Sequence, residues 1–338
     1  MNKASIYRFN EKKLDSTIDK GFSDFSIDDR LKKIKTVFIK PNLVTDVHEY
    51  IKNGANTDVR VIEAVIKHLS KFKNLKIYLG ESDTGTKVKG RKLEIALKYM
   101  GVYDLQKKYK FDIINLTNDR QVKVKIPNAK FLKEVEMSET FMKCDMIINL
   151  PKIKTHKYST ITCALKNMFG SVPDPMRIIY HKDIHKTLAD LNLLFYRKMF
   201  VVVDGIVGME GAGPLYGEPV KLDLLMFSDN PLSSDIAASK IMKIDPNEVK
   251  HLVYFSDAIN RDLKLEIIGD SKLEDFSKNF EKAHKTWFIF IEERLMQHKW
   301  IVKIIFNDWV RKNITYHFRN ILKKLRGGSY SWYYKKYP

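Results

Sequence analysis

Met146-Ile147-Ile148-Asn149-Leu150-Pro151-Lys152-Ile153-Lys154-Thr155-His156 joins an apolar run directly to two lysines, a threonine and a histidine. The apolar half reads as a buried strand. Pro151 cannot donate to a sheet ladder and biases Leu150 toward an extended conformation. The strand is therefore expected to end there and to deliver Lys152, Lys154, Thr155 and His156 into one turn outside the sheet. The cluster locates a site without naming a reaction.

Similar short apolar runs recur at Val37-Phe38-Ile39, Ile77-Tyr78-Leu79, Ile113-Ile114, Phe200 to Val203 and Leu224 to Phe227. Amphipathic segments alternate with them. The clearest spans Asp58 to Phe72, with Val61, Val65 and Leu69 on one face and Thr57 or Asp58 placed to cap the first turn. Others cover Leu93 to Lys108, Ile184 to Tyr196 and Ser233 to Met242. This alternation predicts an α/β fold, a mostly parallel sheet flanked by helices. Three regions are expected: an N-terminal lead-in over 1–30, the α/β domain over 31–281, and a basic amphipathic helical C-terminal extension over 282–338.

Open parallel sheets bind ligands at the carboxyl ends of their strands, where loop amides and helix N-termini gather. The predicted exits are Lys40-Pro41-Asn42, Gly80-Glu81-Ser82-Asp83, the Lys152 to His156 cluster, and Asp204-Gly205 leading to Met209-Glu210-Gly211-Ala212-Gly213-Pro214. All are polar and of functional residue types.

With these words in hand the chain resembles a known family, the domain of unknown function numbered 362. The resemblance rests on Lys40-Pro41-Asn42-Leu43, Gly80-Glu81-Ser82, Asn149 to His156, Leu165-Lys166-Asn167-Met168-Phe169-Gly170, and Asp204-Gly205 followed by Met209 to Pro214. Five words in one order span about Val37 to Leu252. The resemblance implies an α/β fold and a shared site. Many such proteins accompany iron–sulfur modules, but this chain lacks their cysteine-rich segment, so no iron–sulfur cluster is expected.

Lys40, Lys154 and Lys166 supply mobile ammonium donors suited to phosphate or carboxylate oxygens, and Asn42, Ser82, Thr155, Asn167, Gly211 and Gly213 are further candidates for substrate binding. A solvated basic rim is the plain alternative. His156, Lys152 and Asp204 are the candidates for catalysis, with His156 the acid or base. Glu81 and Glu210, among carboxylates that also include Asp83 and Asp229, could hold magnesium bridging a substrate phosphate, or could cap helices and pair with the lysines. Gly205, Gly208, Gly211, Gly213 and Gly217 suggest a flexible loop that matches neither common nucleotide-binding pattern. His181 and His185, four apart, could share a helical face and ligate a metal, although Lys182 and Lys186 beside them favour a solvated surface pair.

The 338 residues carry 60 Lys and Arg against 41 Asp and Glu, a net charge of +19, which points to anionic partners. Cys144 and Cys163 lack paired metal spacing and read as reduced core thiols. No apolar leader or spanning stretch is present in the sequence, so a cytoplasmic location is expected. Residues 282–338 carry a net +10, with Phe288, Ile291, Leu295, Val302, Ile305 and Trp309 at helical spacing and a closing run of Tyr, Trp and Lys. Such a segment fits an acidic membrane surface or a partner protein, which would make the protein a peripheral one. It would equally fit a helix packed back on the domain, and nucleic acid is the least expected partner. Two functions stand: an enzyme that binds a small anionic substrate, such as a phosphorylated one, at the strand ends, or a non-catalytic adaptor tethered by its tail.

Overall fold

The computed structural model describes residues 1–83, 91–174, 177–215 and 217–283, together with Leu295, Trp300 and Ile301. The proposed tail thus lies almost wholly outside the described residues. Twelve strands are described: β1 (Asn2–Arg8), β2 (Thr36–Pro41), β3 (Lys76–Glu81), β4 (Asp112–Asn115), β5 (Gln121–Lys125) and β6 (Glu134–Ser138), then β7 (Met146–Leu150), β8 (Lys152–His156), β9 (Thr160–Thr162), β10 (Met199–Glu210), β11 (Glu218–Ser228) and β12 (Leu265–Gly269). The β5–β6 hairpin stands apart, and the other ten strands form one sheet.

Strands β4, β3, β2, β7 and β10 run parallel in that order, then β11 pairs antiparallel with β10, β1 antiparallel with β11, and β12 parallel with β1. The sheet is mostly parallel and flanked by helices, as the alternating pattern predicts. Its central strands β2, β7 and β10 carry apolar runs because both faces are covered. Phe38, Ile147, Val201, Val203, Leu224 and Met226 face one core, which Leu232, Ile236 and Ala237 of the helix Pro231–Ile241 complete. Their neighbours Val37, Ile39, Ile148, Val202, Leu225 and Phe227 face the other, against Val61, Ile62, Val65 and Leu69 of the helix Val59–Leu69. That helix starts where expected, with the Asp58 side chain accepting the Arg60 N–H.

Three readings need correction. The thirty residues set apart as a lead-in supply β1 inside the sheet and a helix, Leu14–Ser23, whose Ile18 and Phe22 are buried in the second core. The single helix expected over Leu93 to Lys108 is two, Arg91–Tyr99 and Val102–Lys108, parted at Gly101, whose φ of +74° suits glycine. Most consequential for the site, Lys152–His156 is not a turn but strand β8.

Pro151 divides one edge of β10 between two partners. Before it, β7 pairs with Met199 to Val201 of β10 and with β2 on its other side. After it, β8 continues along β10, opposite Asp204 and Met209, but β2 has ended at Pro41 and β8 takes β9 as its other neighbour. The Asp204 N–H donates to Pro151 O at 2.9 Å, so the proline's carbonyl holds the ladder where its missing N–H cannot. The sheet forks at this residue.

Candidate functional site

Alternate residues of a strand share a face, so Lys152, Lys154 and His156 form a row along β8. Lys152 is sealed: its Nζ lies 2.9 Å from Asp204 Oδ2, and both side chains are buried. Asp204 also accepts the Asp58 N–H at 2.7 Å and the Ile206 N–H at 3.1 Å, which ties the helix Val59–Leu69 to β10. Lys154 Nζ donates to Asn42 Oδ1 at 3.0 Å, to Ala55 O and to Pro214 O at 3.4 Å. Burial and the neighbouring Lys152 hold its pKa well below that of an ordinary lysine. On the opposite face Thr155 Oγ1 donates to Gly211 O at 3.1 Å. A Cβ on Gly213 would lie 2.1 Å from Thr155 O, so only glycine lets this loop approach β8 so closely.

A second buried pair stands beside the first. Lys40 Nζ, at the end of β2, lies 2.5 Å from Glu81 Oε2, at the end of β3. It also donates to Pro41 O at 3.1 Å and Asn167 Oδ1 at 3.4 Å. Asn167 returns a donor to Asn149 Oδ1 at 2.7 Å, so three strand ends and the short helix Ala164–Asn167 are knitted together. Burial lowers the Lys40 pKa despite the opposing pull of Glu81.

The second pair borders, through Glu81, a cavity of about 300 Å³. Asn42, Glu81, His156, Lys166 and Asn167 reach its wall, as do Thr162, Arg177 and His181, while Leu43, Val44, Phe169, Ile178 and Pro214 give it an apolar side. Arg177 donates to Ser82 Oγ and to Val172 O, both at 2.8 Å. Among the described residues Lys166 has no hydrogen-bond or ion-pair partner; its Nζ lies 4.6 Å from the Phe169 ring centroid. Burial, then Arg177 and Lys40, push its pKa down to about 7. Thr162 Oγ1 is buried with no partner among the described residues.

The two cavity histidines have opposite polarity. His156 Nδ1 accepts the backbone N–H groups of Tyr158 at 3.1 Å and Ser159 at 3.2 Å, so its proton sits on Nε2. His181 Nδ1 lies 3.1 Å from Ile178 O, which can only accept, so its Nε2 carries the lone pair. Burial and Lys166 lower both pKa values, that of His181 to about 3, and both rings are neutral near pH 7. The Tyr158 ring neighbours both, its centroid 5.9 Å from that of His156 and 5.1 Å from that of His181.

Of the expected residues, Lys40, Asn42, Glu81, His156, Lys166 and Asn167 gather at this cavity directly or through one contact, and Ser82 holds Arg177 from behind. Lys152 and Asp204, read as catalytic, satisfy each other and do not reach the wall. Glu210 accepts the Glu281 N–H at 2.9 Å and lies elsewhere, and among the described residues no three His, Cys, Asp or Glu side chains are grouped to hold a metal ion. Gly205 and Gly208 belong to β10 rather than to a loop. His181 and His185 are not a surface pair: His185 Nδ1 lies 3.3 Å from His251 Nδ1, on different neighbours. Arg177 and Thr162 escaped the sequence reading because neither follows a long apolar strand. The lysines beside His181 disguised it as solvated. A larger groove of about 450 Å³ beside β12 gathers none of these groups.

The model of one family, the domain of unknown function DUF362, matches residues 37–240, more than half of the chain. The chain belongs to that family. The match runs from β2 through most of the helix Pro231–Ile241, so it takes in every residue of the cavity wall, whereas β1 and β12 lie outside it. A thylakoid-associated protein of Synechocystis sp. is 31% identical over 118 residues, 33% of this chain. The chain spans 37% of that relative's length. Among solved structures, a Thermotoga maritima protein is similar at 12% identity and a TM-score of 0.39, over 74% of this chain and 58% of that one. The lactate racemase apoprotein from Thermoanaerobacterium thermosaccharolyticum is similar at 11% identity and a TM-score of 0.35, over 91% of each chain.

Proposed function

We propose that this DUF362 protein is an enzyme acting on a small acid, a carboxylate or a phosphate monoester, held in the cavity at the fork of the sheet. One observation carries the reading: Lys166 and Arg177 both face a cavity whose one carboxylate among the described lining residues, Glu81, is already matched by Lys40. The wall therefore offers positive charge in want of an anion, and Thr162 Oγ1 offers a hydroxyl in want of a partner. The apolar side would take a short hydrocarbon portion, and the volume suits a molecule of a few carbons. His156 and His181, one a donor and one an acceptor at neutral pH, supply proton transfer without adding charge.

Thermal melts with propionate and with inorganic phosphate test this. One or both should raise the melting temperature of the wild type, as a ligand of the native state does. Lys166→Gln and Arg177→Gln should each weaken the effect about tenfold in ligand concentration, the worth of one charge-assisted contact. Equal stabilisation of wild type and both variants would place the anion elsewhere and overturn the assignment.

The alternative, a binding protein tethered through 282–338 to an acidic membrane surface, is supported by that segment's net +10 and by the thylakoid association in the Synechocystis relative's name. Among the described residues no helix is long and apolar enough to cross a membrane.

A further inference from the structure

We infer that Lys166 forms a covalent imine with the carbonyl carbon of a small 2-oxo acid whose carboxylate is held by Arg177. This rests on the cavity being the acid-binding site and adds the class of substrate and the chemistry.

An amine becomes an imine-forming nucleophile when it is accessible to a small carbonyl compound, free of a carboxylate that would keep it charged, and able to lose its proton near neutrality. The buried lysines of this site separate clearly on those terms. Lys40 is locked on Glu81, Lys152 on Asp204, and Lys154 on one amide oxygen and two carbonyls. Lys166 alone among them reaches the cavity wall without a hydrogen bond or ion pair among the described residues, resting on the Phe169 ring. Its pKa of about 7 gives a free-amine fraction at pH 7 about a thousandfold above that of an ordinary lysine.

Arg177 supplies the second half of the recognition. Among the described residues one nitrogen of its guanidinium, Nη1, is engaged, by Ser82 and Val172, which fixes the fork and leaves its remaining donors for a carboxylate. The histidines complete the proton inventory. The Lys166 nitrogen attacks the carbonyl carbon, and the C–O π pair moves to oxygen, where the His156 Nε2–H donates a hydrogen bond. His181 Nε2 takes the first proton released by the nitrogen and delivers it to that oxygen, which gives the neutral carbinolamine; it then carries the second N–H proton to the hydroxyl as the C–O bond breaks and the nitrogen lone pair closes the C=N bond, so that one water leaves with both amine protons. The product is the imine, and no oxidant or metal enters the balance.

The test is reductive trapping of the full chain. Protein is incubated at pH 7 with pyruvate or glyoxylate and sodium cyanoborohydride, which delivers hydride to an imine carbon, and the adduct is located by peptide mass spectrometry. The expected result is one adduct per chain at Lys166, formed at least about tenfold faster than at any other lysine, in line with its larger free-amine fraction. Propionate, which has the carboxylate but no carbonyl, should slow the labelling. Lys166→Arg should abolish this adduct yet keep stabilisation by propionate, since arginine retains the charge but cannot form the imine. Stabilisation by propionate with no preferential adduct from either oxo acid would overturn the covalent inference and leave acid binding standing. Absence of both would overturn the two together. An adduct that forms at the same rate with propionate present would place the reactive amine outside the site and also refute the inference.

Discussion

Lys166 owes its unusual chemistry to what surrounds it rather than to its own sequence neighbours. It shares a small cavity with Arg177, and its ammonium lies over an aromatic ring rather than on a carboxylate. Anion binding should consequently depend on pH. The folded-state pKa is depressed from the usual 10.5 to about 7, so the ammonium is present below that value and lost as pH rises through it. Propionate affinity, measured by titration calorimetry between pH 6 and 9, should fall with rising pH, and Lys166→Arg should flatten the curve, because arginine stays charged throughout. A wild-type affinity constant across that range would contradict the depressed value. The sign for the free protein is opposite. Between about 7 and 10.5 the unfolded chain binds more protons at this residue, so its contribution to stability rises with pH across that window.

At the scale of elements, β8 shows where the sequence was readable and where it was not. Strands β2, β3, β7, β10 and β11 were legible because burial on both faces writes them as apolar runs, and β4, at the sheet edge, through its half-buried Ile113 and Ile114. Strand β8 carries lysines at two of its five positions, and no periodicity rule makes Lys-Ile-Lys-Thr-His a buried strand. What buries it is partners far away in the chain, Asp204, Asn42 and Ala55, which become neighbours only when the sheet has formed. Half of the site was visible as strand-exit words, while Arg177 and Thr162 lie outside those words. The Lys152–Asp204 pair therefore belongs to the architecture, and its two halves should not be equivalent. Asp204→Ala leaves a buried ammonium and two backbone N–H groups unmatched and should cost about 3–5 kcal/mol in denaturant unfolding. Lys152→Met leaves the carboxylate two backbone donors and should cost clearly less. Equal costs would mean that the backbone contacts of Asp204 contribute nothing.

For the whole molecule, the division into lead-in, domain and tail makes a prediction that truncation can check. Strand β1 lies between β11 and β12, with Tyr7 opposite Leu225 and Asn2 opposite Leu265, so it is an interior strand although both partners stand far along the sequence. Deleting residues 1–9 should expose both flanking edges and yield insoluble or unfolded protein by circular dichroism. Ending the chain after Ala283 should leave the ten-stranded sheet intact, since Phe280 is the last core residue among the described ones. The shortened protein should also lose sedimentation with acidic vesicles if the tail is a tether. A truncated chain that melts far below the full one would show instead that the tail covers the core. The position of β1 also bears on how the protein is made. Strand β1 leaves the ribosome well before its partners and finds β11 only after Ser228 has been added and β12 only after Gly269. At ordinary elongation rates that is a wait on the order of ten seconds or more. Through that interval Ala4, Ile6 and Tyr7 have no strand to pair with, so the nascent chain carries an open, adhesive segment there, and holdase chaperones should engage this segment until β11 and β12 have emerged.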